Sequence, residues 1–316
     1  MNYSLTHKSK QFFWLLIKLS IVFGCAYFIW LRLTSNNQLN FSVFYRNLIK
    51  NNVFSIKNLL VLLFLSFLNW FLEITKWQSL ASFCFKTSKK SAAIQSFSSL
   101  TTSLITPNRI GEYGTKAFYF KKTLRKQILS LNLIGNLYQL LATLFFGVSG
   151  LFYFINNQNI NFDLHTFYYY LILCLILSLI LFLIWKNLLS KKNLFKNYAI
   201  KLNKNEHFKI ATLSFLKYLV FSHQFYFLLF IFNVNISYID AFTAISSMYL
   251  ISSIIPMLSL FDAVLKGTVA VFIFSFLNVN ALTVLSITTL MWILNFVIPA
   301  IIGSYFVLTF KPKQIT

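Results

Sequence analysis

The sequence predicts an all-α polytopic membrane protein made of two inverted-topology repeats, each of about three spans plus a re-entrant helical hairpin. Three observations carry that prediction. First, 58% of the 316 residues are hydrophobic, only 11% are charged, and mean hydropathy is positive. Such a chain belongs in a bilayer, and no polar stretch is long enough to form a separate soluble domain. Second, two apolar runs are broken in the same manner: Ser103-Leu-Ile-Thr-Pro107-Asn-Arg109-Ile-Gly111-Glu112-Tyr-Gly114-Thr-Lys116, and Ser252-Ser-Ile-Ile-Pro256-Met-Leu-Ser259-Leu-Phe-Asp262-Ala-Val-Leu-Lys266-Gly267. In each, a serine lies four residues before a proline, and an acid and a lysine four residues apart follow it. Third, basic and uncharged loops alternate along the chain, which fixes which loops face the cytoplasm.

Taken in order, a basic flank (Lys8, Lys10) precedes an apolar run at 12–31 that lacks a small-residue cleavage site, so it reads as a retained first span. The polar stretch 36–57 follows, and its 41–50 piece is amphipathic enough to lie on a surface. This loop is expected outside, yet it carries Arg32, Arg46, Lys50 and Lys57. Either an interfacial helix holds those charges or the first spans are placed differently. Span two covers 59–85 and contains Glu73 and Lys76. A basic loop (Lys86, Lys89, Lys90) leads into the first interrupted segment, and Lys121, Lys122, Arg125 and Lys126 lead out of it. The next span is 128–155.

The loop 156–166 has no lysine or arginine and should face outward. Residues 167–185 span back, the loop to Lys209 carries seven lysines, and 213–232 spans outward again. The second interrupted segment, 240–276, is bounded on both sides by loops without basic residues, and the last span is 282–308, leaving Lys311 and Lys313 inside. The two interrupted segments therefore enter from opposite faces. The division falls at 1–160 and 161–316 within one membrane domain. A short echo, Leu65-Ser-Phe-Leu-Asn-Trp70 against Leu213-Ser-Phe-Leu-Lys-Tyr218, pairs span two with its counterpart. Another reading of the same loops makes each interrupted segment two full tilted spans. The run 92–106 favours hairpins, because at 1.5 Å per residue it gives only about 22 Å against a bilayer core of about 30 Å.

Charge balance bounds the partners. Lys and Arg number 28 against six Asp and Glu. A genome rich in A and T, which favours Lys, Asn, Ile and Phe codons, accounts for much of that excess, and cytoplasmic loops collect Lys in any case. The basic residues sit in short loops between spans, which argues against nucleic acid and for attraction to anionic lipid headgroups. Cys25, Cys84 and Cys174 are far apart with neither metal nor disulfide spacing, so packing is their expected role.

The residues that carry chemistry gather at the interruptions. Thr106 or Asn108 at a cap and Pro107 in a first turn predict a half-helix start inside or near the bilayer. Its free N–H groups and positive dipole end suit an anion such as a phosphate, which the Arg109 fork can clamp. Glu112 then meets a cationic headgroup or a coupling proton, or pairs with Lys116 one turn on, as in a plain surface salt bridge. Ser259-Leu-Phe-Asp262 matches a capping box with Lys266 one turn later, and capping plus an ion pair accounts for those residues equally well. Glu73 and Lys76 share a helix face as a buried ion pair or a transport element. Lys217 and His223 are candidates for lining a cavity, although a lone membrane histidine is more often a hydrogen-bonded packing residue. Asn132, Asn136 and Gln139 recur at helical spacing as interhelical hydrogen-bond partners. No metal spacing, nucleophile motif, P-loop or acidic pair for glycosyl transfer occurs, so neither a cofactor nor an enzyme is expected.

Pro107, Arg109, Gly111 and Glu112, with Glu73-x-x-Lys76-Trp77 upstream, resemble the lysylphosphatidylglycerol synthase transmembrane-domain, or flippase-like, family. The resemblance covers the whole chain in length and span pattern, and the Pro-x-Arg-x-Gly-Glu core is its most specific part. It implies a bacterial inner-membrane protein with both termini cytoplasmic that moves or presents a polar lipid. Such a lipid is an aminoacylated phospholipid or an isoprenoid-linked or hopanoid-type lipid. Members that synthesise lysyl-lipid carry a soluble catalytic domain after the membrane part, whereas this chain stops at Thr316, so synthase activity is not implied. The family's second motif is glycine-rich and ends in an Arg-Glu pair; here Met257 to Gly267 offers Asp262 and Lys266 instead. The expectation is a lipid flippase or polar-lipid transporter that binds a phosphate-bearing headgroup between two hairpins. The alternative is a non-transporting partner that presents a lipid-linked substrate to a lipid-modifying enzyme.

Overall fold

The structure is a computed structural model that describes residues 41–104, 106, 109–158 and 202–310 apart from 255–258, with the backbone alone at 41–43 and 259–263. Isolated helical positions, Leu16, Leu19, Ser20, Phe23 and Tyr27, are also described. Apart from those positions, the expected span at 12–31 lies outside the described residues, as do the span at 167–185, the loop between 159 and 166, Pro107, Asn108, the Asp262 side chain, Cys25, Cys174, Lys311 and Lys313.

Every described element is helical. The order is α1 (Phe41–Lys50), α2 (Ile56–Ala81), α3 (Lys89–Leu104), α4 (Ile110–Phe118), α5 (Arg125–Asn157), α6 (Lys204–Ile231), α7 (Tyr238–Ile254), α8 (Ser259–Ser275), α9 (Ala281–Trp292) and α10 (Ile298–Thr309). A π-helical turn, Ile293–Val297, joins the last two into one rod. Four helices are long and apolar enough to cross a membrane, namely α2, α5, α6 and the Ala281–Thr309 rod. They coincide with the expected spans at 59–85, 128–155, 213–232 and 282–308. The α6 helix starts earlier than the hydropathy suggests, because the Asn203 side chain accepts from the Glu206 N–H at 2.9 Å and caps it within the basic loop.

α3 and α4 fold back on each other as a short hairpin. The Thr102 hydroxyl donates to the Gly111 carbonyl at 3.0 Å and lies 2.7 Å from the Thr115 hydroxyl, while Ser98 and Tyr119 hydroxyls meet at 2.8 Å. The α3 sequence is unusually polar for a membrane, yet Gln95, Ser96, Ser98, Ser99, Thr101, Thr102 and Ser103 are all buried. It is tolerated because α2, α4 and α10 pack around it and most of its hydroxyls donate back to their own helix, for example Ser98 to the Ile94 carbonyl at 2.7 Å and Ser103 to the Leu100 carbonyl at 2.7 Å. α7 and α8 pair likewise.

Two apolar clusters mark the ends of the bundle. One gathers Trp77, Leu80, Ala92, Ala117, Phe120, Ile128 and Ile210, beside the lysine-bearing loops. The other gathers Leu48, Val53, Phe154, Phe232, Phe274 and Val284. α1 belongs to the second end: Phe44 and Leu48 are buried, and the Asn47 amide donates to the Ser286 hydroxyl at 3.2 Å. Arg46 and Lys50 are thus carried on a helix that packs on α9, and Lys57 lies in the first turn of α2.

Candidate functional site

Near the lysine-rich end, three helices bring most of the membrane part's described charges into one cluster. Glu73 and Lys76 share a face of α2, and their side chains pair at 2.9 Å. Lys217 of α6 reaches the same Glu73 Oε2 at 2.6 Å. On α4, Glu112 and Lys116 are one turn apart and pair at 2.9 Å, and the Arg109 guanidinium stands 3.4 Å from the other Glu112 oxygen. Lys76, Glu112 and Lys116 are only 2%, 5% and 2% exposed. The two halves of the cluster lie within electrostatic reach of each other, Lys116 acting on Glu73 and Glu73 on Glu112.

α5 supplies the polar wall. Asn132, Asn136 and Gln139 recur on one face, and each meets another helix. The Lys116 ammonium donates to Asn132 Oδ1 at 2.8 Å, the Asn136 amide donates to the Tyr113 hydroxyl at 3.0 Å, and Lys76 donates to Gln139 Oε1 at 3.5 Å. Gly135 lets α5 come this close, since a Cβ there would strike a Leu80 methyl. Lys116 also sits 4.3 Å from the Trp77 ring centroid, a cation–π contact strengthened by burial. Trp77 is held in turn by donating its indole N–H to Gln95 Oε1 at 2.7 Å.

Two features of the cluster bear on what it can hold. Among the described residues, four cations face two carboxylates, which leaves that set positive. The second feature is an orphan donor. A lysine ammonium can only donate, so Asn132 must turn its oxygen to Lys116 and its NH₂ away; that Nδ2 is buried and meets no hydrogen-bond partner among the described residues.

The break between α3 and α4 is built differently from the expected Pro107 helix start. α4 begins at Ile110, with Arg109 as its N-cap in the left-handed region at φ 57°, a strained conformation for a non-glycine residue. The Thr106 hydroxyl, not a residue at the cap, accepts from the Gly111 N–H at 2.8 Å. Gly111 is obligatory there because a Cβ would collide with the Thr102 carbonyl.

The structure brings together Glu73, Lys76, Arg109, Gly111, Glu112, Lys116 and Lys217. It does not bring His223 to them: that ring is bonded to the Leu219 carbonyl at 2.8 Å and to the Tyr238 hydroxyl at 2.9 Å, beyond the cluster on α6. Lys266 of α8 sits with its ammonium 5.5 Å from the Phe296 ring centroid. Trp77, Asn132 and Gln139 are members that the charge pattern did not single out, although the helical recurrence on α5 marked two of them. A cavity of about 330 Å³ opens beside the cluster's end of α2 and α6, lined by Gln78, Ser79, Ser82, Phe83, Glu206 and Lys209. Among the described residues, no group of three or more His, Cys, Asp and Glu side chains converges as a metal ion would need. Comparison with protein families, curated proteins and solved structures finds no match to this chain.

Proposed function

We propose that the protein is a flippase-like lipid transporter of the bacterial cytoplasmic membrane, and that the cluster on α2, α4, α5 and α6 seats a phosphate-bearing lipid headgroup. The observation that carries this reading is the positive imbalance of the cluster among the described residues: Lys76 and Lys116 are buried at its centre, Lys217 and Arg109 stand at its more exposed edge, and together they face only Glu73 and Glu112. A net positive group within a membrane is costly without an anion beside it. A phosphate supplies acceptors for the ammonium groups and for the orphan Asn132 amide. The lysine-rich end, with Lys86, Lys89, Lys90, Lys121, Lys122 and Lys126, faces the cytoplasm in this reading, as do both termini.

Alternating access would come from two inverted repeats, α2 to α5 and α6 to α10. Three features support that division. α5 packs on α7, and α10 reciprocally packs on α3. Both contacts run through a glycine: Gly147 lies against Ser246 and Leu250, Gly303 against Phe97 and Thr101. α2 and α6 cross antiparallel, with Glu73 at Lys217 and Ser66 at Gln224, and aligning Leu65 on Leu213 also aligns Ile56 on Lys204, the first residue of each helix. In this arrangement Arg109 stands at the tip of the first hairpin, and Lys266 lies on α8 of the second.

The test is reconstitution in liposomes with fluorescent phosphatidylglycerol. The protein alone should make inner-leaflet label accessible to an impermeant quencher, and Lys217→Met should slow this about tenfold, the worth of one charge-assisted contact. Equal rates in the variant and the wild type would refute the site. Retained lipid binding without movement would favour a partner that presents the lipid to a separate enzyme.

A further inference from the structure

Beyond the ion cluster, a second polar feature runs along a neighbouring face of α6. Ser214, Tyr218 and Ser222 recur one turn apart on one stripe, and Ser246 of α7 and Ser222 both lie beside the Tyr218 hydroxyl. All four residues are buried, and although the Ser222 and Ser246 hydroxyls stand near enough to the Tyr218 hydroxyl to act on it, none of the four completes a hydrogen bond of good geometry among the described residues. That departs from the chain's own habit, because most buried serines and threonines on α3 and α7 donate to a carbonyl of their own helix, as Ser247 does to Thr243 at 2.7 Å. The surroundings are small: a Cβ on Gly150 would meet the Ser246 Cβ, and one on Gly147 would meet Leu250. The Tyr218 ring is fixed by stacking on Phe146 at 4.8 Å, which aims its hydroxyl at the two serines. At its near end the stripe touches the ion cluster, since the Gln139 amide that receives Lys76 donates to the Ser214 carbonyl at 3.5 Å.

We infer that Tyr218, Ser222 and Ser246, continued by Ser214, form a hydrated polar track, a built site for water within the membrane part. A buried hydroxyl without a partner is costly in a low-dielectric interior, and a site with three converging hydroxyls offers a water the two to four partners it needs. From Ser214 to Ser222 the track extends about 12 Å along α6, away from the lysine-rich end. Its use as the wet path of a lipid headgroup rests on the transporter reading, but its hydration does not.

Radiolytic hydroxyl-radical footprinting of the wild-type chain in lipid nanodiscs tests it. Radicals formed from bound water oxidise the side chains beside that water. Tyr218 should therefore be labelled at least tenfold faster than Phe225, an enclosed ring two turns further along α6. Ser246→Val, which removes one hydroxyl and fills its space, should reduce Tyr218 labelling several-fold and leave Phe225 unchanged. Tyr218 labelled no faster than Phe225 would overturn the track, and so would labelling that Ser246→Val leaves untouched. A labelled Tyr218 in a protein that moves no lipid would retire the transporter reading while leaving the hydrated site in place.

Discussion

Glu112 and Lys116 show how single side chains are balanced in this interior. Each is buried, and each has a second partner, Arg109 for the acid and Asn132 with the Trp77 ring for the base. Removing one member leaves the other without its main counter-charge, so Lys116→Met should cost about 3–5 kcal/mol, whereas the double variant Glu112→Gln with Lys116→Met should recover much of that loss. Thermal unfolding in detergent reads both, and additive losses would show that the two charges act independently. The two glycines of the same motif are expected to part company. Gly111→Ala drives a Cβ into the Thr102 carbonyl, while Gly114 has open space around its Cβ position. Gly111→Ala should therefore lower the melting temperature by several degrees, and Gly114→Ala should leave it unchanged or raise it, since alanine is worth up to about 1 kcal/mol over glycine in a helix.

Helix ends explain several boundaries that hydropathy blurs. Asn52, Asn233 and Asn278 all adopt positive φ after a helix, and each is followed by a valine. The N–H groups of Val53, Val234 and Val279 donate to the Leu48, Leu229 and Phe274 carbonyls, each at 3.1 Å. This is the Schellman ending, with asparagine in the left-handed position usually given to glycine. Asn233→Gly should be tolerated and Asn233→Val should destabilise by about 1–2 kcal/mol in the same melt. The π-turn has a local cause as well. Pro299 has no N–H to give the Asn295 carbonyl, and the Trp70 indole donates to that carbonyl instead at 3.2 Å. Trp70→Phe should thus cost about 1–2 kcal/mol for the orphaned carbonyl, and the melt would contradict this if the loss were unmeasurable. Long apolar spans were legible because twenty or more apolar residues have few alternatives in a bilayer. The breaks near Pro107 and Pro256 were legible from proline and charge. The membership of the site was less so: Arg109 and Glu112 announce themselves as rare charges, but Asn132 and Gln139 become site residues only when α5 lies beside α2 and α4. Thr106 as the group that holds Gly111 depends likewise on a backbone path that sequence spacing does not specify.

At the scale of the molecule, four membrane-length helices enclose two shorter hairpins, and the described charges of the membrane part concentrate at the junction of α2, α4, α5 and α6. Further along α2 and α6, where the π-turn of the last rod meets them, the polar contacts are neutral. There Asn69 donates to Asn295 Oδ1 at 3.0 Å, Asn295 donates to Gln224 Oε1 at 2.9 Å, and Gln224 donates to the Ser66 hydroxyl at 2.7 Å. In the proposed reading, a charged layer on one side and an amide layer on the other would give a headgroup one strong seat and one weak one, as a site that must also release its ligand requires. The central claim is that the charged layer holds a phosphate-bearing lipid. Native mass spectrometry of the gently purified protein tests this most directly, comparing wild type with Asn132→Leu and Lys217→Met and using Gly114→Ala as the folded control. The account predicts one class of phosphate-bearing lipid retained by the wild type and the control and lost at least tenfold from both site variants. An unselective lipid profile, unchanged by those two substitutions, would contradict it.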